Sequence, residues 1–387
     1  MMTQRDREQD LDAQLMSRAL ELAARGLYSA HPNPRVGCVL VKDARVIGEG
    51  WHHHPGTPHA EVMAIRSADE DTRGTTAYVT LEPCSHHGRT PPCVDALRNA
   101  GVAEVVAAVE DPNPLVSGRG FQTLRDANIE VRTGVLRDRA IRLNRGFFHR
   151  MRLGRPWFRV KLAMSIDART ALADGDSRWI TGPSARADVQ HWRARASAIF
   201  TGIGTVIADD PRLTVRDDEL VVPPDYAQPG DQPYRIVLDS TLRLPNSAGL
   251  LDLPGNTYLI SAEPGPNDDR TALDERRRAL EHRGAVILTM PRQDDGRIDL
   301  GSVAGWLGRL EVNEVHTEAG PTLAGALWEA GLVDELLLYA APTLLGADAR
   351  PLIGWSSPES MHGRPALRFV DVRLIGDDLR LLLRPLE

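Results

Sequence analysis

A chain of 387 residues with 42% hydrophobic and 26% charged side chains is an ordinary globular composition, and its length suggests two domains rather than one core. The net charge of −7 and the pI near 6.0 exclude a broad nucleic-acid surface, which has to be basic to hold phosphates. Residues 1–152 carry 20 of the 46 Lys and Arg and 19 of the 53 Asp and Glu, so the acidity sits in the remainder and the first part is nearly neutral.

In chain order, the N-terminus carries Arg5, Asp6, Arg7, Glu8 and Asp10 and offers no apolar segment for a signal peptide. Residues 12–26 have helical periodicity through Leu15, Ala19, Leu22 and Ala23, with Gly26 as a stop. His31-Pro32-Asn33-Pro34 holds the chain extended. Residues 36–41 read as a buried strand with a hairpin partner at 46–50. A helix is expected over 60–68, a strand over 77–81, a helix from Cys93 to about Ala100 and a strand over 102–109. That alternation is an α/β layered domain. The arginine-rich stretch ending at Gly154-Arg155-Pro156 marks a junction, giving domains of 1–152 and 153–387.

Past the junction, strands are expected at 157–164, 198–201, 235–238, 257–260, 286–290, 314–317 and 335–340. A hairpin of 367–375 with 379–384 closes the chain. A helix over 183–196 has Thr181 or Gly182 near its N-cap and Pro183 near its first turn. The proline- and acid-rich stretches 217–233 and 263–269 read as solvated insertions. The most apolar run, 336–345, is too short to span a bilayer and contains Pro342. Three cysteines make no disulfide framework, so a reducing compartment, the cytoplasm, is expected.

Two of those cysteines, Cys84 and Cys93, join His59 as a candidate zinc set with one position open. Glu61 stands two residues after His59, where zinc deaminases keep a proton shuttle. A zinc of this kind lowers the pKa of bound water to roughly 7, and a nearby carboxylate can carry the proton to a departing amine. The geometry requires His59 at the very start of its helix, since two residues on are about 200° around the axis. A structural zinc, or two unrelated buried cysteines, is the alternative. Cys38, inside an apolar run, reads as a small core residue.

Eight residues, Ser85 to Pro92, separate Cys84 from Cys93, where the general motif has two. With His31-Pro32-Asn33-Pro34, Thr80-Leu81-Glu82-Pro83-Cys84, Asp111-Pro112-Asn113-Pro114 and Gly118-Arg119-Gly120, the first domain resembles the bifunctional pyrimidine deaminase/reductase family of riboflavin biosynthesis. The resemblance implies a three-layer α/β/α cytidine-deaminase-like domain followed by a dihydrofolate-reductase-like α/β domain. It implies deamination of a 2,5-diamino-6-ribosylamino-pyrimidinone 5′-phosphate. Asn33, His52 and His86 are then pyrimidine and ribose contacts and Arg89 the phosphate contact. Asn33 can equally serve its turn, His52 the scaffold, and Arg89 a surface ion pair.

In the second domain Gly202-Ile203-Gly204 lacks the third glycine of a dinucleotide fingerprint, so a Rossmann domain is unsupported. Thr317 to Gly325 instead feeds a strand end into a glycine-bounded helix start, a possible phosphate cradle. Segments beginning at Lys161, Ser177, Gly204, Leu213 and Gly331 resemble the family's reductase half, which uses NADPH to reduce the ribosyl group. Carried over, Ala163, Trp179, Thr205, Asp209, Ser240, Gly320, Pro321, Thr322, Leu323, Ala324, Gly325 and Ala326 contact the cofactor. Ser177, Arg193, Leu213, Arg216 and Glu318 contact substrate, with the two arginines suited to a phosphate. Lys161 and Asp209 are candidates for polarising the opened sugar and positioning the hydride. Asp209 and Asp210 can also be a solvated turn, and Met164 departs from the family's smaller residues. The reading expects one zinc per chain, small phosphorylated pyrimidines as partners without nucleic acid or membrane, and a homo-oligomer.

Overall fold

Residues 36–41 are almost uniformly apolar because the strand they form is covered on both faces. A computed structural model describes residues 4–86, 91–114 and 116–386. The first part runs α1 (Gln4–Ala24), β1 (Gly37–Lys42), β2 (Arg45–Trp51), α2 (Ala60–Ser67), β3 (Thr76–Val79), α3 (Cys93–Asn99) and β4 (Glu104–Ala107). It continues with α4 (Arg119–Asp126), β5 (Glu130–Thr133), α5 (Arg137–Leu143) and α6 (Arg145–Leu153). The five strands form one sheet in the order β2-β1-β3-β4-β5. β1 is antiparallel to β2 and β3, whereas β3, β4 and β5 are parallel.

Alternation along β1 builds the layers. Val39 and Val41 join Leu15, Met16 and Ala19 of α1 and Phe147 and Phe148 of α6. Cys38 and Leu40 join Ala60 and Ala64 of α2, Val94 and Leu97 of α3 and Leu124 of α4. Cys38 is thus a core residue, remote from ligand duty. At Gly50 of β2 a Cβ would fall 2.3 Å from the Ala64 nitrogen and 2.4 Å from the Ala60 oxygen, so glycine lets α2 lie directly on the sheet. That close approach positions the helix start that follows His59.

The second part runs β6 (Trp157–Ser165), β7 (Arg169–Ala171), α7 (Pro183–Arg195), β8 (Ala198–Gly202), α8 (Ile203–Asp209), β9 (Tyr234–Leu238) and β10 (Thr257–Ala262). Then follow α9 (Arg270–His282), β11 (Val286–Met290), α10 (Leu300–Arg309), β12 (Glu314–Glu318), α11 (Pro321–Glu329), β13 (Glu335–Ala341), β14 (Arg350–Pro351), β15 (Leu367–Ile375) and β16 (Asp378–Pro385). Nine strands form a sheet in the order β11-β10-β9-β8-β12-β6-β13-β16-β15, and only the last two are antiparallel to their neighbours. Phe158, Val160 and Leu162 of β6 face α10 and α11 in one core. Arg159 and Lys161 take the alternate positions, toward α7, where the Arg159 guanidinium lies over the Trp192 ring.

The chain divides into two compact units, Met1–Gly154 with Val222–Gly230, and Arg155–Val221 with Asp231–Glu387. The stretch expected to be a solvated insertion is therefore partly anchored: the Ala227 amide donates to the Arg25 carbonyl oxygen, and Tyr226 lies 6.3 Å from Tyr28, ring to ring. The first helix begins at Gln4, well before the expected residue 12, and ends two residues earlier than expected.

Candidate functional site

His59 is the N-cap of α2, so its ring projects from the helix end and Glu61 occupies the first turn. Cys93 opens α3 behind Pro92, and its amide donates to the Cys84 sulfur at 3.4 Å. His59 Nδ1 lies 3.2 Å from Cys93 Sγ and 3.5 Å from Cys84 Sγ, and the three ligand atoms all fall within 4.8 Å of one another. Nitrogen and sulfur held tetrahedrally by one zinc stand about 3.6 Å apart, so the set fits that ion.

The electrostatics of the trio call for a cation. The hydrogen bond from Cys93, aided by His59, pulls the Cys84 thiol down to about 4. Cys93, as the donor beside that thiolate, is raised well above the ordinary thiol range. Two thiolates at this spacing need positive charge between them. Burial, followed by the Cys84 charge, raises the Glu61 carboxyl, and its Oε2 is buried with no hydrogen-bond partner. An orphaned carboxylate oxygen next to an open metal position is what a proton carrier requires.

Asn33 and His52 come to the same place. His52 Nδ1 lies 3.4 Å from the Pro58 carbonyl oxygen and Nε2 lies 3.0 Å from Asn33 Nδ2. A proton on Nδ1 serves the carbonyl and leaves Nε2 to accept from the Asn33 amide, which aims the amide oxygen elsewhere. Burial, with His59 second, holds His52 down to about 4, so the neutral ring is favoured at pH 7. His52 also meets His59 edge to face at 5.2 Å. His86 is exposed, and Arg89 lies outside the described residues.

Glu82 is a residue to which the sequence motif assigns no role. Only 3% exposed, its carboxylate accepts from four backbone amides: Asp111 (3.1 Å) and Gly118 (3.0 Å) on Oε2, Gly120 (2.8 Å) and Phe121 (3.3 Å) on Oε1. It ties the loop after β4 to the turn carrying Cys84. The Asp-Pro-Asn-Pro and Gly-Arg-Gly stretches are the available signal, because such turns need an acceptor for their buried amides.

In the second part, Lys161 on β6 stands in register with Glu318 at the end of β12. Arg193 of α7 clasps Glu318 with two bonds of 2.6 and 2.9 Å and donates to the Thr214 carbonyl oxygen at 2.8 Å. Three of its five N–H groups are thus spent inside the protein, so the guanidinium expected to hold a phosphate is chiefly an anchor for Glu318. Although burial resists it, the Arg193 charge keeps the Glu318 carboxyl well below its ordinary range. Burial pulls the Lys161 ammonium down, with Glu318 opposing.

The remaining positions form a second group. Asp209, exposed at the end of α8, pairs with Arg178 at 3.2 Å and makes no hydrogen bond or ion pair with Lys161 among the described residues. Trp179 is 70% exposed under the Arg186 guanidinium at 4.6 Å. Arg216 bonds Glu219 at 2.7 Å, the Ser177 carbonyl oxygen accepts from Ile180, and that of Ser240 from Ala262. Thr205 lies on α8 and Ala163 opposite Tyr339. The Leu213 side chain is sealed in the core beside α8, which leaves its backbone, at φ +51°, as its contact surface. Met164 packs against the opposite core, so its bulk does not face Lys161.

Gly320 caps α11 and Pro321 starts it, as a helix-start cradle requires. Open space surrounds Gly320, whereas a Cβ on Gly325 would meet the Gly354 carbonyl oxygen at 2.0 Å. Leu323, Ala324 and Ala326 pack into the core. The exposed helix start, Gly320 to Thr322, is the part able to meet a ligand.

Comparison with known proteins agrees with both halves. Residues 9–109 match the cytidine and deoxycytidylate deaminase zinc-binding region, and residues 156–381 match the RibD C-terminal domain. The chain is 48% identical to the riboflavin biosynthesis protein RibD of Escherichia coli (strain K12), over 96% of this chain and 99% of that one. It is 44% identical to the Haemophilus influenzae protein of that name, over 97% of each. Among solved structures, Acinetobacter baumannii RibD superposes with a TM-score of 0.87 at 45% identity, covering 98% of this chain and all of that one. The Thermotoga maritima diaminohydroxyphosphoribosylaminopyrimidine deaminase/5-amino-6-(5-phosphoribosylamino)uracil reductase gives 0.82 at 31% identity, with the same coverage. Family model, relatives and fold concur: the chain belongs to the RibD family of riboflavin biosynthesis proteins.

Proposed function

We propose that this chain is a bifunctional enzyme which deaminates 2,5-diamino-6-ribosylamino-4(3H)-pyrimidinone 5′-phosphate and then reduces the product's ribosyl group to give 5-amino-6-ribitylaminouracil 5′-phosphate. The observation that carries the reading is the convergence of His59, Cys84 and Cys93 beside the orphaned, buried Glu61 carboxylate. When bound there, zinc supplies the Lewis acidity that makes water nucleophilic at neutral pH. Glu61 takes a proton from the attacking water and returns it to the 2-amino nitrogen. The C–N bond then breaks and ammonia leaves, and the remaining hydroxyl hydrogen passes to the ring nitrogen as the carbon becomes a carbonyl. Asn33 and the neutral His52 hold the pyrimidine edge, while His86 and Arg89 meet the ribose and phosphate.

In the second half NADPH supplies the hydride when bound, with the helix start at Gly320, Pro321 and Thr322 and the side chains of Trp179, Thr205 and Ser240 holding it. Lys161 places a proton on the heteroatom next to the reduced sugar carbon. Glu318, steadied by Arg193, keeps Lys161 charged, and Asp209 helps orient the sugar from its place beside Arg178. Ser177 and Arg216 complete the substrate contacts.

No described helix is long and apolar enough to cross a membrane. The reading keeps the enzyme in the cytoplasm as a homo-oligomer acting on small molecules. A coupled assay tests it: ammonia release followed by NADPH oxidation in stoichiometric sequence is expected. Ammonia release with no NADPH oxidation on the deaminated product would remove the reductase half.

A further inference from the structure

The first unit has a further concave site that none of the zinc ligands lines. It lies where β4 and β5 end, lined by Val109, Glu110 and Asp111 after β4 and by Thr133 and Gly134 at the end of β5. The carboxyl ends of parallel strands are where α/β sheets leave crevices for ligands. The cavity measures about 580 Å³, within the range that holds a nucleotide-sized molecule.

Three arginines from three different helical segments line it: Arg125 of α4, Arg137 of α5 and Arg152 of α6. Their charges are not neutralised at contact distance by the protein. Among the described residues Arg125 and Arg152 have no ion pair, Arg152 lying over the Phe148 ring at 5.3 Å, and Arg137 reaches only its exposed neighbour Asp138 at 3.7 Å. Arg18, Arg45 and Arg132 of the same unit each close on a carboxylate within hydrogen-bond distance, which none of the three lining arginines does. Part of the wall is firmly built, because Asp111, Gly118 and Phe121 are held through the backbone by Glu82. Glu110 adds a carboxylate, already accepting from Ser117 Oγ at 2.9 Å, that can receive a ligand hydroxyl.

We infer that this cavity is a second ligand site, separate from the zinc trio, which binds a phosphorylated small molecule of nucleotide size. The guanidinium groups meet the phosphate, and Glu110 meets a hydroxyl. Planar guanidinium forks suit phosphate oxygens, and a crevice walled by pinned backbone loses little freedom on binding.

Calorimetric titration of the zinc-loaded full chain, saturated with NADPH, with inorganic pyrophosphate tests this. The expected result is an equivalent of binding that weakens with salt and is lost, by about tenfold or more in affinity, in Arg125→Gln/Arg137→Gln/Arg152→Gln. The single variant Arg125→Gln is expected to lose part of it, and all variants are expected to release ammonia at the parent rate. Identical isotherms for the parent and the triple variant would overturn the site, as would no heat with the parent. A triple variant that changes oligomeric state while keeping pyrophosphate binding would assign the arginines to a subunit contact instead, which also overturns it.

Discussion

Replacing Glu82 by Gln removes one negative charge and two acceptor positions from a fully engaged carboxylate. Two backbone amides face each oxygen, Asp111 and Gly118 on one, Gly120 and Phe121 on the other. A glutamine can orient its carbonyl oxygen to one pair only, and its amide group then confronts the other pair donor to donor. Hydrogen bonds to charged groups contribute about 1.5–3 kcal/mol each, so two lost bonds cost about 3 kcal/mol at the low end. For a unit of this size each kcal/mol moves the melting point by about 2–4 °C, so the first unit of Glu82→Gln is expected to melt about 6–12 °C lower. Differential scanning calorimetry, which separates the two units if they unfold independently, measures this. Zinc should also dissociate faster into a chelator, because the Cys84 turn loses its tether. A variant that melts within a degree of the parent and holds zinc as long would refute the reasoning.

The same treatment applies to the second half. Lys161 is pulled below its ordinary value of 10.5 chiefly by burial, and its proton is needed for reduction in this account. The alkaline limb of the reductase pH profile should therefore lie below 10.5, and a limb at or above that value would contradict the role. Glu318, held well below its ordinary 4.5, contributes stability that is fully present above 4.5 and is lost as pH falls through the lower folded value. Glu318→Gln strands the buried Arg193 charge and should cost about 3–5 kcal/mol near pH 7, while making acid unfolding shallower. Urea titrations at several pH values read both effects.

The zinc set is legible in the sequence because each ligand follows a proline, Pro58 before His59, Pro83 before Cys84 and Pro92 before Cys93, and the first and last of these stand at helix starts while Pro83 lies in the turn after β3. Glu82 is not, because its four partners lie 29 to 39 residues away and only the fold brings them back. Arg193 is legible as an important cation but not as Glu318's partner, since the pairing joins α7 to β12 across 125 residues. The buried Arg159, bonded to Glu335 at 2.7 Å and Glu314 at 3.1 Å, is equally hidden: charges at strand positions look like solvent-facing residues until a helix covers them. Helix α9 is hard to read because its apolar stripe of Leu273 and Leu280 is thin among arginines and acids, and only Leu280 is buried. The stretch 217–233 looks solvated by composition, and Tyr226 is the one residue whose apolar ring hints at an anchor.

The central claim is that Glu61 moves a proton at a zinc centre, and Glu61→Gln tests it most directly. Metal analysis of the purified variant is expected to find about one zinc per chain, with ammonia release abolished and NADPH-dependent reduction of the deaminated product unchanged. Ammonia release near the parent rate from a zinc-loaded Glu61→Gln protein would contradict the account.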